Sequence, residues 1–302
     1  MPKKKPEPMT TRLRALMAEP GLIRGINIYD PITAKIAQSL GFKAVALGGF
    51  QLGAHLCVTE PTLTMTETFA SAQAITRVLG IPLKVDCGAG FGEPVHVTRT
   101  VREAERAGIA CIHIEDQWFP KRAHYHRGIE HVIPIGQMVD KIKAAVDARQ
   151  DPDFVLVGRT DAMRTDGVAE GIRRGNLYAE AGCDMIEVFP NSYEEAALVP
   201  KEVAAPCLYV NSAGNRMGRP VIPWDELEDM GYKWAIDSTT TLIAATQGVR
   251  AAMEAYLKKG APPDDIAAAV ETREWIETII GLPEYYAIEA RTVERDNEET
   301  PV

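Results

Sequence analysis

The chain has 302 residues and a formal net charge of -9, with 46% hydrophobic and 25% charged residues. This is the composition of a soluble globular protein, long enough for one large domain or two modest ones. The acidic balance excludes nucleic acid as the main partner, because no global field attracts phosphates, and no apolar run approaches the ~18 residues that would span a membrane.

Read in chain order, the first residues form a Pro-containing tail with the one basic cluster, Lys3-Lys4-Lys5, and residues 1–10 are expected to be disordered. No signal-peptide pattern opens the sequence. Cys57, Cys87, Cys111, Cys183 and Cys207 are odd in number, widely spaced and form no CxxC pair. They argue against a disulfide framework or a zinc site and for a reducing cytoplasm.

Short β-rich runs then alternate with helical patterns. Strands are expected at Ile23–Tyr29, Ala44–Gly48, Leu83–Cys87, Cys111–Glu115, Phe154–Arg159, Met185–Phe189, Cys207–Asn211 and Lys233–Asp237. Several are near-continuous apolar runs, as parallel strands buried on both faces should be. Amphipathic segments such as Thr66–Leu79, Val95–Ala107, Ile135–Arg149, Val168–Ala181 and Leu242–Lys258 lie between them. Gly41, Pro82, Gly108, Gly182, Pro206 and Gly231 punctuate the returns to strand. Eight such units within ~250 residues predict a (β/α)8 barrel over residues 11–260. A doubly wound sheet is the alternative, weakened because no GxGxxG turn follows the first strand. Residues 261–302 are expected to form a helical extension whose Trp275, Ile276, Ile279, Ile280, Tyr285 and Tyr286 need burial, on their own barrel or on a neighbouring subunit.

In such barrels chemistry gathers at the C-terminal strand ends. Those positions hold Tyr29-Asp30, Gly48-Gly49, Asp86, Glu115-Asp116, Arg159-Asp161, Glu187, Asn211 and Asp237. Converging carboxylates repel unless a cation joins them, and an oxygen-only set suits Mg²⁺ or Mn²⁺. Asp86 and Glu115 are the metal candidates, with salt bridges or caps as the bland reading. Gly48 and Gly49 could offer backbone N–H groups to a substrate carboxylate or simply form a tight turn. Arg159 could fork a carboxylate or pair with Asp161. Asn211 could donate to an oxyanion or cap a turn. Lys121, His124, Tyr125 and His126 form a cationic, proton-carrying loop. His113, within a strand, is expected to be a core residue, and Cys87 a bland neighbour of Asp86.

These residues resemble the isocitrate lyase/phosphoenolpyruvate mutase superfamily, especially short methylisocitrate lyase-like members. The likeness rests on Tyr29-Asp-Pro-Ile-Thr-Ala-Lys35, Gly48-Gly49, Val85-Asp86 with Gly90-Phe-Gly92, Ile114-Glu-Asp-Gln117 with Pro120-Lys-Arg122, Gly158-Arg-Thr-Asp-Ala162 and Gly281-Leu-Pro-Glu-Tyr-Tyr286. It covers nearly the whole chain. It implies a TIM barrel with C-terminal helices swapped between subunits of a dimer or tetramer. It also implies Mg²⁺, a small carboxylate substrate chelated to it, and bond cleavage through an enolate. Tyr29, Gly48, Gly49, Arg159 and Asn211 would bind substrate, and Asp86, Glu115 and Glu60 would serve the metal.

The departures are specific. Ala123 stands where lyases of the family keep a cysteine, Gly88 replaces a metal-loop acid, and Phe189-Pro-Asn191 replaces an acid after the sixth strand. The expectation is a Mg²⁺-dependent lyase cleaving a C–C bond in a 2-hydroxy or 2-oxo acid, but not ordinary isocitrate or methylisocitrate cleavage. Lys121, His124, Tyr125 or His126 would then replace the cysteine as proton donor. The alternatives are a phosphonopyruvate-type P–C mutase or hydrolase, and a non-catalytic carboxylate-binding barrel.

Overall fold

The structure, a computed structural model, describes residues 7–216, 218–262 and 265–294. Eight strands form a closed parallel barrel: β1 (Ile23–Ile28), β2 (Ala44–Leu47), β3 (Leu83–Asp86), β4 (Cys111–Glu115), β5 (Val155–Thr160), β6 (Met185–Val188), β7 (Cys207–Asn211) and β8 (Trp234–Asp237). Each pairs with its neighbour in sequence, and β1 closes the ring on β8. Helices connect them, as parallel pairing requires. All eight expected strands are present, shifted at their ends by no more than a residue or two.

Two layers of apolar side chains hold the barrel together. The larger lies between strands and helices and includes Ile28, Leu47, Val85, Ile112, Leu156, Ile186 and Tyr209. The smaller is inside the ring, where Ala44, Ala46, Cys111, Val155, Val157, Met185, Leu208 and Trp234 meet Leu13. Leu13 comes from a helix, Met9–Ala18, for which the sequence offered no signal. It is fully buried, which contributes about 2 kcal/mol. Polar contacts pin the helix to the β4–β5 side: Thr10 and Thr11 donate to Asp151 and Asp153, and Arg14 pairs with Asp184. Met9 and Thr10 are therefore helical rather than tail, while residues 1–6 lie outside the described residues.

The chain divides into two compact units, one ending at Ile243 and one starting at Ala244. The division falls within the helix Thr240–Lys259, before the expected boundary at Gly260. The second unit contains the helices Ile266–Ile279 and Leu282–Ala290. Among the described residues no helix is long and apolar enough to cross a membrane.

Candidate active site

Strand register decides which side chains meet. Asp86 is in register with His113, and Glu115 with Arg159, which is in turn in register with Glu187. Because side chains alternate across a strand, His113 and Glu115 share the inner face of β4, and Asp116 is sent outward. Lys84 and Asp86 share a face of β3 in the same way. The C-terminal end of the barrel thus gathers Lys84, Asp86, His113, Glu115, Arg159 and Glu187 over a cavity of about 230 Å³, all but Glu115 directly lining it.

Charge is balanced there by pairs. Buried Lys84 contacts Glu187 at 2.9 Å and His113 Nδ1 at 2.6 Å. His113 Nε2 lies 2.8 Å from Asp86 Oδ1. An ammonium can only donate, so His113 Nδ1 accepts and its proton sits on Nε2, facing Asp86. Burial opposes ionisation of Asp86, but His113, Lys121 and Arg159 outweigh it and hold the carboxyl well below the usual range. At Glu115 burial, helped by the nearby Asp161 and Asp86, outweighs Arg159 and Lys121 and raises the pKa. Arg159 approaches Glu115 Oε2 at 3.0 Å and forks Asp161 at 3.1 and 3.2 Å.

The loop after β4 folds over this floor. Lys121 bridges Glu60 and Glu115, whose charges outweigh burial and keep it protonated. Its ammonium also sits 4.1 Å from the Tyr125 ring centroid. Tyr125 and His126 lie on the 3-10 turn Ala123–Arg127 and line the cavity. Arg159 Nη2 donates to the Tyr125 hydroxyl oxygen at 2.7 Å. Burial raises the Tyr125 pKa against the pull of Arg159, so the phenol keeps its proton. His126 Nε2 is 3.4 Å from Glu60, and burial outweighs that carboxylate to lower its pKa.

Several expectations need correction. His124 is exposed on the same turn and does not line the cavity, because the tight turn aims only Tyr125 and His126 inward. Asn211 is not free to meet a substrate. Its amide donates to the Ile222 carbonyl and accepts the Ile222 N–H, tying down the segment after β7. Tyr29 is away from the cavity wall and packs on His55, ring centroids 5.4 Å apart. Gly48 and Gly49 do line the cavity, but the Gly49 N–H donates to Asp86 Oδ2 at 3.1 Å and is not left for a carboxylate. A Cβ at Gly49 would stand 2.9 Å from Glu60 Cγ, so glycine there lets Glu60 and Asp86 converge.

His113 is a correction in the other direction. It is buried, as expected, yet it belongs to the site. Phe189, noted in the sequence as a departure after the sixth strand, lines the cavity, as do Lys84, Arg219 and Thr239, which had no distinguishing signal beyond a charge in an apolar strand at Lys84. Asp116, adjacent to Glu115, is no metal candidate: it accepts from Thr160, Arg174 and Tyr178 and fixes the loop from outside the barrel. Ala123 is exposed and lines no part of the cavity.

The acids have the chemistry of a hard-cation site. Among the described residues no three ligating groups are already closed around one point. However, Glu60 and Asp86 border a further void of about 50 Å³ together with Gly49, Gly88 and Lys121. Glu115 Oε1 is buried and lies 3.1 Å from the Lys121 ammonium, and a Cβ on Gly88 would meet nothing nearer than that oxygen, at 4.0 Å. An oxygen-only set of acids beside open space fits Mg²⁺ or Mn²⁺.

Comparison with known proteins agrees with this geometry. The family model described as phosphoenolpyruvate phosphomutase matches residues 13–257. The chain is 39% identical to 2,3-dimethylmalate lyase of Eubacterium barkeri, over 79% of this chain and 82% of that protein. It is 36% identical to 2-methylisocitrate lyase of Aeropyrum pernix, over 90% and 87% respectively. Its fold matches a crystal structure of phosphonopyruvate hydrolase in complex with oxalate and Mg²⁺ with a TM-score of 0.84 and 28% identity, covering 95% of this chain and all of that one. With the closed barrel and this strand-end constellation, these matches establish that the chain belongs to the phosphoenolpyruvate phosphomutase family, within the isocitrate lyase/PEP mutase superfamily.

Proposed function

We propose that the protein is a Mg²⁺-dependent lyase that cleaves a C–C bond in a 2-hydroxy or 2-oxo carboxylic acid. The observation that carries the reading is the contact of Arg159 with Tyr125 at the wall of a cavity bordered by Glu60 and Asp86. The lyases to which the chain is similar, named for dimethylmalate and methylisocitrate, support the bond class. The oxalate and Mg²⁺ in the phosphonopyruvate hydrolase structure support the metal.

Asp86, Glu60 and Glu115 would hold the ion. When bound, Mg²⁺ supplies positive charge to the oxygen that becomes enolate. The remaining work falls to the chain's own residues. Arg159 offers its guanidinium to a substrate carboxylate, and its position is fixed by Asp161 and Glu115. Tyr125 is the proton donor at the site in place of the missing cysteine. Burial keeps its phenol protonated, and the Arg159 donation stabilises the phenolate left after transfer. Lys121 ties the loop to Glu60 and Glu115 and so excludes water from above.

Release of pyruvate, glyoxylate or another 2-oxo fragment from a panel of such acids, with and without Mg²⁺, tests the reading. Turnover indifferent to EDTA and to Asp86→Ala would sink it. A homo-oligomeric state belongs to the same proposal, motivated by the exposed Trp275, Ile276, Ile280, Tyr285 and Tyr286.

A further inference from the structure

Lys84 and Lys121 are held against carboxylates, the usual condition for an ammonium in a protein interior. Lys141 breaks that pattern. It lies on the helix Ile135–Ala148 and is buried, and it does not line the cavity. Its one hydrogen bond among the described residues is a 3.1 Å donation to the Ala89 carbonyl, and no carboxylate pairs with it there. Burial lowers its pKa against the pull of Glu93, Glu115 and Asp116, so the position is unfavourable for the ammonium itself.

Ala89 belongs to the turn after β3, which is tied directly to two acids of the site. Asp86 Oδ1 accepts the Gly88 N–H at 2.8 Å, and the Gly88 carbonyl accepts the Glu115 N–H at 2.9 Å. The turn is strained, because Phe91 has a φ of 58°, a left-handed conformation that side chains rarely adopt. Two helix side chains grip its backbone at consecutive residues. Lys141 holds the Ala89 carbonyl, and the buried Thr100 hydroxyl lies 3.0 Å from the Gly90 carbonyl. The Lys141 bond thereby fixes the peptide plane that directly follows the Gly88 link to Asp86 and Glu115.

We propose that Lys141 is a positioning residue that presets the turn after β3, and through it Asp86 and Glu115, for a divalent cation. It acts only through the Ala89 carbonyl. This rests on reading those acids as a Mg²⁺ site. Mg²⁺ demands near-octahedral ligands at short distances, so a turn free to shift would weaken its binding.

The test compares wild type with Lys141→Met, Lys141→Arg and Leu13→Ala, the last a stability control that touches none of the acids. Calorimetric titration should show Mg²⁺ binding at least tenfold weaker in Lys141→Met, and within about threefold of wild type in Lys141→Arg, which keeps a donor. In metal-free protein, amide exchange at Gly88 and Gly90 should be at least tenfold faster in Lys141→Met, with Ile186 in β6 unchanged. Leu13→Ala should lower the Tm without weakening Mg²⁺ binding. Failure of arginine to restore affinity, acceleration of exchange at Ile186 as large as at Gly88, or an equal loss of affinity in Leu13→Ala each overturns the proposal. Mg²⁺ binding that is unaffected by Lys141→Met overturns this assignment and leaves the proposed reaction standing. No Mg²⁺ binding to wild type overturns the metal reading along with it.

Discussion

Arg159 and Tyr125, 34 positions apart in sequence, meet through a 2.7 Å hydrogen bond in which the guanidinium donates to the phenol oxygen. The tyrosine therefore has its own hydrogen available for the cavity, while the charge beside it favours losing that proton. The exposed Ala123 two residues earlier shows that this loop does not aim its 123 position at the cavity.

Tyr125→Phe should lower kcat by about 100-fold with little change in KM, as expected when a general acid is removed and the ring is kept. Steady-state kinetics on whichever acid is turned over checks this. A fall in KM-linked binding without a fall in kcat would assign Tyr125 to substrate holding instead.

Ala123→Cys should not restore methylisocitrate cleavage. The introduced thiol should react with a maleimide at the same rate with and without oxalate and Mg²⁺, because the position is exposed. Protection by those ligands would show that the 123 side chain reaches the site.

Asp86→Asn should cost about 100-fold or more in Mg²⁺-supported turnover. Asp86 gathers the Gly49 N–H, the Gly88 N–H and His113, so the isosteric amide keeps the volume but loses the charge. Mg²⁺ titration by calorimetry should show weakened binding, and unchanged affinity would remove Asp86 from the metal site.

Lys84→Met should destabilise the fold by about 3 kcal/mol, because it strands Glu187 in the barrel interior. Adding Glu187→Leu should recover most of that loss, since replacing both partners removes the unpaired charge. Urea midpoints of the two variants decide this, and equal destabilisation by single and double variants would contradict it.

Acid should destabilise the protein partly through Glu187. Burial disfavours its charge, but Lys84, His113 and Arg159 outweigh burial and lower its pKa below the ordinary 4.5. The unfolded chain therefore takes up the proton first. The stabilisation is fully present above pH 4.5 and is lost as pH falls through the lowered folded value. The dependence of the urea midpoint on acid pH should be shallower in Glu187→Gln than in wild type.

Strand periodicity and glycine punctuation were enough to place the eight parallel strands, because a run buried on both faces must be apolar whatever its neighbours are, while closure into a barrel rather than a doubly wound sheet is shown by the tertiary structure. The polar strand ends were legible for the same reason: Asp86, Glu115, Arg159 and Glu187 interrupt apolar runs where nothing local requires charge. What no local pattern could decide was partnership. Only register and barrel closure bring Lys84 to His113 and Glu187, send Asp116 outward to Arg174 and Tyr178, and commit Asn211 to Ile222. Those contacts join residues that are far apart along the chain, so their energies depend on which strands become neighbours. The tight turn after β4 brings Tyr125 and His126 to the cavity and leaves His124 in solvent.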